Sequence, residues 1–461
     1  MKQQTIRLAT TGARVATGAV VAAACVFGVV AAVAAPWPEV HSDQVGTTVT
    51  PVPSDALLVC NGSFRALGRD AGQADLMVSA GTPRVRIDGA ADDAKTAQLD
   101  MSDVTGGAGA QSITAHVKDR VVPQVAASES LTVSDSDASG FAAAPCREPS
   151  LKSWLVGGDV STGASDVIVL SNPGAVTATV ALDVYGEARK ASTVVVPPMT
   201  QLGVPLASVA SGERSPVVQV SSSGAPVRAS LQSALVRTLD AVGIDVQDGV
   251  SGPQTDLHLL GVRSAPIAEG DDANGLVVRI LAPGEDGGAS VRVRSASTGK
   301  VISEYPVDLV GAVPSEIALA GLPAGAYDIE IEASTPVVAG VRQTARESSR
   351  EDFAWMLPAP ELAPDAEVTF SVPGGAPATL FLRNAGDTEV TVALSGADRA
   401  SVQLAAGGVA AVPVKAGGHA LRPSGRVHAA IGMIGGKGSS AIAGWPLWAG
   451  AATGQPIVVR P

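Results

Sequence analysis

The groups able to do chemistry are few: His41, His116, His258, His419 and His428, three cysteines, and 44 carboxylates. A helical metal site needs two ligands on one face, and no two histidines stand at i, i+4. Acyl transfer needs an activated nucleophile, and the chain holds no G-x-S-x-G. Each histidine is therefore read as an ordinary surface or strand residue. GGKGSS (Gly435–Ser440) fails as a phosphate loop, because Ile431 stands where the first glycine belongs and Gly438 where Ser or Thr is needed. It reads as a hairpin turn. DSDASG (Asp135–Gly140) opens like a calcium loop, but Cys146 takes the place of the closing bidentate Glu. It reads as a polar turn, as does EGDDANG (Glu269–Gly275). No catalytic residue, metal or cofactor is expected.

Two carboxylates across a groove could still split a glycosidic bond, but the sequence does not pair them. Sugar clefts generally stack rings on aromatics, and only 3% of the residues are aromatic. Trp37 falls at an expected membrane boundary, where indole is favoured. Trp154, Trp355, Trp445 and Trp448 each fall in or beside an expected strand near a module junction. Packing is their first reading and a carbohydrate platform the second.

A frame must position these groups, and 461 residues suffice for three or four domains with their own cores. With 51 Gly and 31 Pro, long helices are improbable past the N-terminus. A net charge of −12 argues against nucleic acid as a partner, since phosphate binding needs clustered Lys and Arg.

Residues 1–14 carry Lys2, Arg7 and Arg14 and no acid, and the 21 residues Val15–Ala35 carry no charge. At about 1.5 Å per residue such a helix spans a bilayer core of about 30 Å. The basic flank predicts a cytoplasmic N-terminus and an exported remainder. A cleaved signal peptide competes, because Ala32 and Ala34 fit the small-x-small pattern; Pro36, Pro38 and the length of the run favour an uncleaved anchor. Cys25 reads as a thiol within that helix. Cys60 and Cys146 then form an even pair in an oxidising compartment and are predicted to bond to each other.

Past the anchor one pattern recurs. VIVLSNPGAVTATVALDV (Val167–Val184), VVRILAPGEDGGASVRVR (Val277–Arg294) and TLFLRNAGDTEVTVAL (Thr379–Leu394) each read as a half-buried hairpin about a Gly or Pro turn. The triplets NPG, APG and NAG begin at Asn172, Ala282 and Asn384, spaced by 110 and 102 residues. A second landmark follows: SSSGAPVRASLQ (Ser221–Gln232), EASTPVVAGVRQ (Glu332–Gln343) and the weaker RPSGRVHAAIGM (Arg422–Met433). Units of about 100 residues with about seven short strands fit immunoglobulin-like sandwiches better than propeller blades of 40–50 residues. Residues 57–150 form a divergent region with strand-like runs at Ala56–Cys60, Pro83–Asp88, Ser112–Val117 and Ser130–Ser134. Ala90–Thr105, free of Gly and Pro, reads as a short helix.

The order Cys60-Asn61-Gly62, Cys146, SWLVGG (Ser153–Gly158), VLSNPG (Val169–Gly174) resembles an actinobacterial family of exported proteins, the domain-of-unknown-function family numbered 5719. The resemblance covers most of the expected exported part. It implies location and architecture and brings no catalytic residue. The family favours Pro after the first Cys, and Asn61 departs from that.

The expected fold is all-β: tandem immunoglobulin-like sandwiches after one transmembrane helix, with a propeller as the alternative. The expected division is a cytoplasmic tail (1–14), an anchor (15–35), a stalk (36–56), a divergent β domain with the disulfide (57–150), and repeats at 151–253, 254–350 and 351–461. The expected function is a non-enzymatic scaffold or accessory factor of envelope assembly, a rod of modules on the cell membrane. Its partners would be envelope proteins or cell-wall glycan. A carbohydrate-binding or polysaccharide-processing protein is the competing class.

Overall fold

A computed structural model describes residues 16–31, 47–49, 53–67, 77–89, 94–135, 137–265, 275–347, 350–435, 439–450 and 457–459. The described residues past the first helix are almost wholly β. Between Lys152 and Pro446 the same sheet pattern occurs three times. Repeat 1 pairs Lys152–Leu155, Val217–Ser223, Ala178–Tyr185 and Lys190–Val196 in one sheet. Its other sheet runs Thr200–Pro205, Val167–Asn172, Arg228–Arg237 and Asp240–Asp248. In chain order these are strands one, six, three, four and strands five, two, seven, eight. Repeat 3 has the same order, with Val368–Val372, Gly417–Pro423, Val390–Gly396 and Ala400–Leu404 facing Val409–Val414, Ala378–Asn384, Val427–Ile434 and Ile442–Pro446.

Repeat 2 keeps the order but joins its sixth and seventh strands. Gly325–Glu347 is one strand of 23 residues. Its first part pairs with Gln254–Ser264 and Gly287–Ser295, its second with Val277–Leu281 and Arg350–Met356. Each repeat has a core drawn from both of its sheets. Burying each Val, Leu or Ile there contributes about 1.5–3 kcal/mol.

The hairpin landmark is only partly half-buried. Its second strand alternates, as in Ala178–Tyr185, where buried and less buried positions take turns. Its first strand is buried at every position in Val167–Asn172 and Val277–Leu281, and nearly so in Ala378–Asn384. A strand buried on both sides needs cover on its outer face, and the preceding region supplies it each time. Met77 and Val104 cover Val167 and Val169; Trp154 and Val156 join Leu281; Leu260 and Ala296 join Phe381. Repeats 2 and 3 approach so closely that Gly261 is required: its φ is +68°, and a Cβ there would lie 2.2 Å from Phe381.

The divergent region holds three small sheets, and the Cys60–Cys146 disulfide is present within it. Both sulfurs sit in a core with Leu58, Ile113 and Ala127. The short helix expected over Ala90–Thr105 is absent from the described part. Lys95–Gln98 is a strand on Gln111–Ala115, and Val104–Thr105 pairs parallel with Met77–Gly81. All four residues of Lys95–Gln98 are exposed, so backbone pairing with a neighbouring strand outweighs local propensity. Asp135 N donates to Ala138 O, so the segment that opens like a calcium loop closes a hairpin turn. Most of EGDDANG lies outside the described residues.

The expected rod is corrected. Residues Val52–Gly454 form one compact unit. The Ser139–Pro145 strand of the divergent region touches the last strand of all three repeats, which a linear row of modules would forbid. The other unit contains helix 16–31 and the pairing of Thr47–Val49 with Ile457–Val459. The helix carries no charge and every residue of it is exposed. Among the described residues no helix is long and apolar enough to cross a membrane; the flanks of the expected 15–35 span lie outside them, as does Trp37.

Candidate functional site

The side chains that reach out of each repeat's buried second strand do the work at the junctions. Counting back from the NPG, APG and NAG triplets, the outward pairs are Val169 and Ser171, Arg279 and Leu281, Phe381 and Arg383. One polar and one apolar group thus dock every repeat on the region before it.

At the first junction Ser171 accepts from Gln201 Nε2 (2.8 Å), which also donates to Asn61 O (2.8 Å). Asn61 donates through its backbone N–H to Glu129 (2.7 Å), and its amide group also bonds Glu129 and Arg228. Arg228 donates on to Asp248 and to Pro145 O (3.0 Å). Asn61, Glu129, Arg228 and Asp248 are all buried. Burial pushes Glu129 up to about 7 against the opposing pull of Arg228 and Asn61. The residue after Cys60 is thus the keystone between the divergent region and repeat 1.

At the second junction Arg279 donates to Val156 O (3.0 Å), Gly158 O (2.8 Å) and Pro216 O (3.0 Å). It also bonds Glu316 (2.7 Å) and lies over Trp355, 4.9 Å from the ring centre. Beside it opens a cleft of about 450 Å³ between repeats 1 and 2.

At the third, Arg383 reaches Glu330 (2.9 Å), which Arg294 (2.6 Å) and Arg292 (3.1 Å) also hold. Burial works to raise Glu330, but these guanidinium groups outweigh it and leave the carboxyl at about 2. Next to them the rings of His258 and His428 lie 4.3 Å apart. Both are buried strand residues, yet they form a pair that their separate positions in the sequence do not suggest. Burial and then the neighbouring His258 lower His428 to about 4, and its Nδ1 meets Ala359 O at 2.8 Å. Among the described residues no group of three or more His, Cys, Asp or Glu is placed to hold a metal.

The last strands of repeats 1 and 2 each carry a buried carboxylate that bonds backbone of a neighbouring region. Asp352 accepts from the backbone N–H groups of Phe141 (2.7 Å), Ile244 (3.1 Å) and Phe353 (3.0 Å). Asp245 accepts from Trp355 N (2.8 Å). These acids cap strand edges that would otherwise leave buried donors unpaired. Burial raises both, Asp245 to about 7.

The tryptophans are mostly enclosed. Trp154 packs on Tyr185, with ring centres 5.3 Å apart, Trp355 lies under Arg279, and Trp445 sits in the core of repeat 3. All three are buried; Trp448 is half-buried and covered by the Arg147 guanidinium at 3.3 Å. Trp154, Trp355 and Trp445 offer no open ring face, whereas Trp448 also lines a pocket with Trp445 and Phe370. Cys60–Asn61–Gly62 and Arg228, within Ser221–Gln232, lie in motifs of the sequence, but Glu129, Gln201, Asp245 and Asp352 carry no local signal.

The architecture is that of an all-β protein of several sheets, closed by one disulfide. The chain belongs to a family: the profile described as Family of unknown function (DUF5719) matches residues 101–418. No curated protein matches the chain.

Proposed function

We propose that this is a membrane-anchored extracytoplasmic protein of the cell envelope, a non-enzymatic scaffold or accessory factor of assembly whose three repeats are tandem immunoglobulin-like sandwiches. The sandwich reading rests on consecutive second and third strands lying in opposite sheets, as do the fifth and sixth, the interlocked pairing common to such folds. Anchoring is supported by helix 16–31, which is apolar around its whole circumference and exposed throughout. An all-round apolar helix needs an apolar medium. The disulfide supports an oxidising compartment.

One observation carries the scaffold reading. Two of the buried carboxylates whose acidity burial weakens, Asp245 and Asp352, are engaged with backbone N–H groups of neighbouring regions. Burial-shifted acids in a cleft would suit catalysis; Asp166, raised to about 7, is such an acid in the cleft between repeats 1 and 2, whereas Asp245 and Asp352 lock modules together. The test of location is protease added to intact, wall-stripped cells. Digestion of residues beyond 52 with helix 16–31 left in the membrane fraction is expected, and digestion only after lysis would overturn the reading. The test of role is in-cell cross-linking. Defined envelope-protein adducts are expected; adducts with cytoplasmic proteins alone would remove it. Carbohydrate binding stands as the second reading because of the cleft between repeats 1 and 2.

A further inference from the structure

We infer that the cleft between repeats 1 and 2 binds a neutral, hydroxyl-rich ring ligand, one or two units of a saccharide. The inference deepens the second reading above and is independent of the scaffold role. A volume of about 450 Å³ lies within the 300–1,000 Å³ range of small-ligand sites. The floor is the outer face of repeat 2, where Glu316, Arg279 and Trp355 stand on neighbouring strands with Gly340 between. The wall is made by repeat 1, from the 158–166 loop, residues 212–215 and Arg237.

Charge decides the ligand class. The guanidinium groups of the cleft are opposed by carboxylates: Arg279 by Glu316 (2.7 Å), Arg237 by Glu351 (2.6 Å), Arg214 by Glu187 (3.6 Å). Arg342 feels Glu316 as well. Asp159 and Asp166 also stand on the wall, and burial pushes Asp166 up to about 7, so the cleft offers no surplus of positive charge to recruit a phosphate or carboxylate. Sugar hydroxyls donate and accept at once, which suits a wall that mixes both kinds of group.

A second observation points inward. Asp166 and Ser233 are buried, 6% and 3% exposed, and both line the cleft. Asp166 Oδ2 takes the Asp159 N–H at 2.7 Å. The Ser233 hydroxyl faces Asp166 and helps hold its charge, but at poor hydrogen-bond geometry. A ligand hydroxyl in the cleft would give the Ser233 oxygen a better-placed partner. Trp355 is enclosed, so recognition rests on hydrogen bonds.

The experiment is calorimetric titration of the purified full chain with mono- to tetrasaccharides of glucose, galactose, mannose and N-acetylglucosamine, beside inorganic phosphate and succinate. At least one saccharide should saturate below 10 mM in roughly one-to-one ratio, an affinity of about −3 kcal/mol or better. Ser161→Trp, placed on an exposed loop at the mouth, should weaken binding at least tenfold without lowering Tm, while Arg422→Ala on repeat 3 should leave it unchanged. The inference fails if no saccharide saturates, if only phosphate or succinate binds, or if Ser161→Trp binds as tightly as the parent. None of these outcomes bears on the location and cross-linking tests of the scaffold.

Discussion

Repeats 1 and 3 close their first hairpin with a side chain, and repeat 2 closes it with the chain itself. In repeat 1 Asn172 Nδ2 donates to the carbonyls of Val176 (2.8 Å), Val196 (3.0 Å) and Pro197 (3.1 Å), and its Oδ1 accepts from Gly174 N (3.0 Å). Asn384 repeats the set on Thr388 (2.7 Å), Leu404 (3.1 Å), Ala405 (2.9 Å) and Gly386 N (2.8 Å). In repeat 2 the position is Ala282, and its carbonyl takes the Ala312 N–H at 2.7 Å. Asp286 accepts from Gly311 N at 2.8 Å nearby. The triplet that reveals the duplication is thus a buried plug tying the turn to the end of the fourth strand. Where the plug is lost, a backbone bond and the Asp286 carboxylate replace it.

The largest expected effect comes from the region that lacks this device altogether. Reducing the Cys60–Cys146 bond, or replacing both residues by Ser, should cost about 4 kcal/mol through the freed loop. Denaturant unfolding with and without reductant measures it, and equal midpoints would mean that the small sheets hold without their staple.

Next, Asn384→Ala should cost about 3 kcal/mol, since three carbonyls and one N–H lose a buried partner; Asn172→Ala should match it. A loss under 0.5 kcal/mol in both would break the comparison. Ala282→Asn should not stabilise repeat 2. Ala282 is fully buried, so the larger side chain should cost about 1–3 kcal/mol by overpacking, and a gain would mean that repeat 2 keeps an empty socket.

A smaller and slower effect is pH. Asp245 and Asp352 sit in the last strands of repeats 1 and 2, and the Ile442–Pro446 strand of repeat 3 has no acid. Their folded acidity is weakened, Asp245 to about 7 from an ordinary 3.8. Between these values the folded chain holds protons that the unfolded chain has released, so stability should fall as pH rises from about 4 to about 7 and level off above. Glu330, held at about 2, acts oppositely, losing its contribution as pH falls below about 4.5. Thermal melts across pH 3–9 should show the slope, and Asp245→Asn should reduce it, with Asp352, Glu129 and Asp166 supplying the rest. An unchanged slope would locate the protons elsewhere.

The sequence made the duplication legible because its signals are local: alternation along a strand, a turn triplet, a spacing. The disulfide was legible from cysteine parity. The junctions were not, because each outward residue looks like any other strand residue until its partner is known. Val169, Arg279 and Phe381 occupy one position in three repeats, and the middle one is a cation where the other two are apolar. Asp352 caps donors 211 and 108 residues away. The helix expected at Ala90–Thr105 failed for the same reason, since a distant strand recruited Lys95–Gln98. The rod failed because the contacts of Ser139–Pro145 with three separate repeats leave no trace in any one of them.

The unbroken Gly325–Glu347 strand makes repeat 2 unlike its neighbours under load. Elsewhere two sheets can shear past each other by stretching the loop that links their sixth and seventh strands. Here that link is a taut covalent thread hydrogen-bonded at both ends, so tension entering one sheet leaves through the other with little play. A pull on one sheet of the middle repeat should therefore reach its other sheet at a smaller extension than in repeat 1 or repeat 3.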